Sequence, residues 1–139
     1  MRLVLVLLLL TSPVAAAARE GNSASSRAWQ NWALNCQGCH RPDGSGTVGG
    51  APSLPGVVGT FLTTPGGREY LVRVPGVSGA PLNDADLAAV LNWMLNQYDE
   101  ANLPPDFQPY AAEEVARLRD APLGTRAGEE RARLLSSNK

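Results

Sequence analysis

The sequence is poor in the residues from which metal centres are usually built. Its 139 residues contain one histidine, two cysteines and two methionines. A single His excludes bis-histidine ligation of any metal. No charge sign dominates either: 12 Lys and Arg stand against 13 Asp and Glu, a formal net charge of −1. That balance is neither a nucleic-acid-binding one nor a polybasic membrane signal. There is no long hydrophobic run. The stretch Leu3 to Leu10 falls short of the roughly 20 residues that span a bilayer, and Pro13 follows closely. No internal repeat is present, and the length suits one domain.

What is there begins with a leader pattern. Met1 and Arg2 precede the apolar run, and Ala15 to Ala18 follow Pro13. A basic start, an apolar core and small residues at the end predict a secretory signal peptide over residues 1–18, cleaved near Ala17 or Ala18. An uncleaved anchor is the alternative, and only then is a membrane association expected. Loss of Arg2 leaves 11 cations against 13 anions, a formal charge of −2. The predicted location is the periplasm or the exterior, where a cysteine pair ordinarily suggests a disulfide.

The residue after the pair suggests another chemistry. Residues 36–40 read Cys36-Gln37-Gly38-Cys39-His40, the C-x-x-C-H mark of c-type haem attachment. Two thiols bond to the two vinyl groups on one porphyrin edge, and the short loop sets their separation. The next residue then projects over the ring, so its imidazole reaches the iron. Three other readings compete. A redox dithiol shares the spacing but normally opens a helix after a strand. Structural zinc needs four ligands. A plain disulfide gives no role to His40. The export signal beside the motif favours haem.

Residues 19–26 are small and polar and are expected to be a weakly ordered linker. From Arg27 to Gln37, Trp29, Trp32, Ala33 and Cys36 fall on one helical face, with Ser25 or Ser26 as N-cap. Residues 41–82 hold 10 of the 14 Gly and 6 of the 11 Pro, which predicts mostly loop. Leu54, Val57, Val58, Phe61 and Leu62 are candidate contacts wrapping a haem. Gly67 to Val74 fits a short helix better than a strand. Residues 84–98 form the clearest helix: Leu87, Val90, Leu91, Met94, Leu95 and Tyr98 share a stripe, and Asn83 is a good N-cap. Residues 111–119 suggest a further short helix with Val115 and Leu118 inward. Residues 124–139 are charged and expected to fray.

A helix entering C-x-x-C-H, a Gly/Pro-rich middle, a short central helix and an amphipathic closing helix together resemble a class I cytochrome c domain. The similarity covers about residues 27–100, leaving residues 101–139 as a partly helical C-terminal extension. Pro52-Ser53-Leu54-Pro55-Gly56 resembles the family's segment past the proximal His, and Leu82 to Tyr98 its closing helix. The resemblance implies a small all-α fold of three to four helices with long Gly/Pro-rich loops around one haem c. It implies Cys36 and Cys39 as thioether sites and His40 as proximal iron ligand. One departure stands out. The family takes a distal Met from the loop before the closing helix, but Val74 to Leu82 contain no Met, His or Lys. After leader removal the one Met is Met94, in the middle of the apolar stripe. Core packing, where Met fills gaps, competes there with ligation of the iron and is the stronger expectation. Water, or an oxygen of Asn83 or Ser78, is the alternative sixth ligand.

The implied function is single-electron transfer between redox proteins or within a respiratory or dehydrogenase complex. No catalytic acid, base or nucleophile is required, no nucleic-acid partner is implied, and the free protein is expected to be a monomer. A haem-based binder of small ligands, or a haem subunit built into a larger complex, is the alternative.

Overall fold

A computed structural model describes the backbone of residues 13–137 and the side chains of residues 23–137. Of the leader read at residues 1–18, residues 1–12 lie outside the described residues. Among the described residues the fold is all-α, with seven α-helices and no strand. They are α1 (Pro13–Asn35), α2 (Gln37–His40), α3 (Gly67–Arg73), α4 (Pro75–Ser78), α5 (Asp84–Asp99), α6 (Ala112–Arg119) and α7 (Ala127–Ser136). Short 3₁₀ turns occupy Gly59–Thr63, Glu100–Asn102 and Gly124–Arg126.

Three local expectations are corrected. No helix begins at Ser25 or Ser26: residues 19–26 lie within α1, which starts at Pro13. The run Ala15 to Ala18 has the highest helix propensity available, and Pro13 sits in the first turn, where its missing N–H costs nothing. Ser25 and Ser26 are therefore interior to the helix rather than caps. Second, Trp29 does not face the core. It is 53% exposed, while Ala28 and Trp32 are buried at 3% and 4%. The inward stripe is Ala28, Trp32 and Cys36: Trp32 and Cys36 lie on the face expected, and Ala28 takes the place given to Trp29. Third, residues 124–136 are not frayed. They fold into a turn and α7, and Leu134 is 1% exposed.

The remaining elements follow the sequence pattern. α5 begins where expected: Asn83 accepts a hydrogen bond from the Asp86 N–H at 2.8 Å, with Asp84 and Asp86 in the first turn. Leu87, Val90, Leu91, Met94 and Leu95 are buried along it. α3 is helical as expected, and Val115 of α6 is fully buried. The Gly/Pro-rich middle is mostly loop and turn, as expected, interrupted by α3, α4 and the turn at Gly59–Thr63. Close approach explains some of its glycines. A Cβ on Gly67 would collide with the Phe61 carbonyl oxygen. Gly44 has φ +73, and a Cβ there would lie 2.9 Å from the Tyr98 ring.

α1 packs against α5, and this contact carries an aromatic cluster. The Trp32 ring centroid lies 5.8 Å from Trp93 and 5.3 Å from Tyr98, both on α5. These spacings suit offset or edge-on ring packing. The Tyr98 hydroxyl donates to the Pro42 carbonyl at 3.0 Å. The end of α5 thereby holds the loop that leaves His40.

Candidate functional site

α1 delivers its chain directly into the motif. The Cys36 N–H still bonds to the Trp32 carbonyl, at 2.8 Å. The N–H groups of Cys39 and His40 then both donate to the Cys36 carbonyl at 3.1 Å, and Arg41 N–H to the Gln37 carbonyl at 3.0 Å. Residues 36–40 are thus wound as a single helical turn. Arg41, with φ 55, is the non-glycine residue of positive φ among those described, and it ends that turn. The Gly46 N–H returns to the His40 carbonyl at 3.2 Å, which fixes the loop behind the histidine.

Cys36, Cys39 and His40 line one cavity of about 520 Å³, within the roughly 300–1,000 Å³ of ordinary ligand sites. Trp32 lies beside them, its centroid 5.6 Å from the His40 ring. Leu54, Val58 and Phe61 form one wall, as expected; Val57 and Leu62 pack on the core away from it. Leu71, Val74 and Val77 form another wall, and Leu87, Leu91 and Met94 of α5 a third. Sequence reasoning missed Ala127, Gly128 and Arg131, which reach the same cavity from α7. The signal was present in the spacing: Ala127, Arg131 and Leu134 recur at i, i+4 and i+7.

Both cysteines are free thiols in this structure. Burial, then the neighbouring Cys39, pushes the Cys36 thiol up to about 11. Reactive dithiols depend on a lowered thiol pKa, and no strand precedes this one among the described residues. Both facts weigh against a redox dithiol. Nor do the described residues place three or more His, Cys, Asp or Glu together to hold a metal ion by themselves. Burial holds the His40 pKa below its usual value, which keeps the ring neutral, the metal-binding form. The Pro52 carbonyl beside it acts in the opposite direction, without meeting the geometry of a hydrogen bond to Nδ1, which is buried and unpartnered. A flat apolar macrocycle with two reactive vinyl groups and a metal fits this donor set. Two thiols and a neutral imidazole sit at one edge, and hydrocarbon walls enclose the rest.

An all-α domain closed around such a cavity defines a class, and the chain belongs to the c-type cytochromes. Two relatives show it, both cytochromes c-552: one from Thermus thermophilus and one from the strain ATCC 27634 / DSM 579 of the same organism. Each is 37% identical to this chain in an alignment 102 residues long that covers 60% of this chain, and it covers 78% and 69% of the two relatives. No family model matches the chain. As a c-type cytochrome it is an electron carrier, and its cofactor is covalently attached haem c with its iron.

Proposed function

We propose that this chain is an exported monohaem carrier in which Cys36 and Cys39 hold the haem and His40 binds its iron. The convergence of the three side chains on one apolar cavity carries this reading. Each thiol S–H adds across one vinyl double bond, giving two thioethers. Bound haem supplies a one-electron iron couple tuned by its axial ligands and its surroundings. The chain does the rest. Trp32, Leu54 and Leu71 keep water from the ring, and the fixed turn at residues 36–40 sets the imidazole over the metal. The periplasm is the proposed location, supported by the leader pattern at residues 1–18. No described helix is long and apolar enough to cross a membrane. The proposed partners are redox proteins, met singly or in a respiratory or dehydrogenase complex.

Met94 is proposed as the sixth ligand. Its position is compatible with either role weighed in the sequence: it is buried in the core and lines the cavity with His40. It is the one thioether among the described residues. A second reading has its own support: Val74, Pro75, Gly76, Val77 and Ala80 line the cavity where the family supplies its Met, and none offers a strong iron donor. In that case the iron binds an added ligand. Visible and near-infrared spectra of the wild type and Met94→Ala separate the two. Ligation predicts a sulfur-to-iron charge-transfer band lost in the variant, and slow or absent carbonyl formation in the ferrous wild type. A wild type that binds carbon monoxide at once, with a spectrum unchanged by the substitution, establishes the open site.

A further inference from the structure

Arg131 is a half-buried cation in the cavity wall and has no hydrogen bond or ion pair in the structure. Its guanidinium carbon lies 5.6 Å from the centroid of Phe61, itself a buried wall residue. It is also close enough to the Tyr70 hydroxyl to oppose the upward push that burial gives that group. The nearest carboxylate on the same helix is not its partner: Glu130 is held by Arg133 through bonds of 2.6 and 2.9 Å. Other arginines of this region are engaged. Arg68 pairs with Glu114, and Arg119 with Asp84. Arg131 alone brings a planar set of N–H donors to an apolar cavity and leaves them unused.

A guanidinium lining an apolar cavity is suited to an anion, ideally a carboxylate that it meets with two parallel bonds. Haem brings two. Cys36 and Cys39 at the motif turn would hold its vinyl edge, so its propionates would leave from the opposite edge. α7 packs on α3. We propose that Arg131 binds a haem propionate, which makes α7 of the C-terminal extension part of the haem site. The proposal rests on the haem assignment above. The helix is held independently by Leu134, which is fully buried, so the arginine is presented from a packed element rather than a loose tail.

The test uses the haem-loaded protein, with covalent haem quantified first; a chain without it would overturn the haem assignment, not this one. Midpoint potentials are measured across pH for the wild type, Arg131→Gln, Arg131→Lys and Arg126→Gln. Arg126 is an exposed cation just before α7 and does not line the cavity. Loss of a cation at the propionate favours the ferric state, so Arg131→Gln should have a lower potential. The propionate ionisation visible in the potential should move up by about one pH unit or more. Arg131→Lys, which keeps the charge, should recover most of both effects, and Arg126→Gln should show neither. Two results overturn the proposal: an Arg131→Gln profile matching that of Arg126→Gln, or equal changes in the Gln and Lys variants, which would mark a packing effect.

Discussion

Asp99 is the one charged side chain buried among the described residues, and its partners explain why. One carboxylate oxygen accepts from the Gly56 N–H at 3.0 Å and from the Asn102 side chain at 2.7 Å; the other accepts from the Gly59 N–H at 2.6 Å. The end of α5 thus holds the turn that carries Val58 and Phe61 into the cavity wall. Asp99→Ala strands two backbone N–H groups, and the expected loss is on the order of 3 kcal/mol. Urea denaturation of the holoprotein measures it, and a loss under about 1 kcal/mol would show that the network does not matter. At this scale the motif residues were legible, because C-x-x-C-H is a local pattern with one strong chemical reading. Asp99 was not, since the two backbone N–H groups it holds lie 40 and 43 residues away. Trp29 was misplaced because an apolar residue at i and one at i+3 do not by themselves say which side of a helix faces in.

Among the contacts that fasten the extension, one centres on Arg68. Arg68 of α3 meets Glu114 of α6 through two bonds, of 2.6 and 2.7 Å, and donates to the Gln108 carbonyl at 2.7 Å. Its guanidinium also lies 4.1 Å from the Tyr110 ring centroid. The hydrogen bond from Arg68, the largest influence, holds the Glu114 carboxyl below the usual glutamate value. The unfolded chain then binds a proton more readily than the folded one, so this contribution is present at neutral pH and lost as pH falls through the lowered value. The pair is partly exposed and screened, which keeps its contribution small. Glu114→Gln should therefore be slightly less stable than wild type at pH 7, with the gap closing in acid. Thermal unfolding from pH 7 to 3 checks this, and a gap that widened in acid would contradict it. Periodicity made α5 and α6 legible, but α7 was hidden by its charge: Glu129, Glu130, Arg131 and Arg133 mask a stripe whose buried member is Leu134.

The whole molecule is arranged around its cavity. α1, α2, the middle segment, α5 and α7 each contribute wall, so elements far apart in the sequence meet around one apolar cavity. Without haem these apolar walls would stay against water and the burial they provide would be lost. A domain's net stability is only about 5–15 kcal/mol, so that loss weighs heavily. Haem-free chain, made as Cys36→Ala/Cys39→Ala without haem, is expected to lack cooperative thermal unfolding in circular dichroism. A sharp transition close to that of the holoprotein would contradict this. The all-α class was legible through the resemblance to a class I cytochrome c domain. The wall built by residues 127–131 did not, because the sequence resemblance ends before it and only tertiary packing brings α7 back.

The most direct test asks whether the porphyrin stays with the chain when every weaker contact is removed. Protein exported from a cell able to attach haem is denatured, extracted with acidified solvent and weighed intact. The expected result is a chain heavier by one haem that remains coloured on a denaturing gel, with neither Cys36 nor Cys39 open to thiol reagents. Colourless chain with both thiols reactive, or with the two joined as a disulfide, would contradict the account.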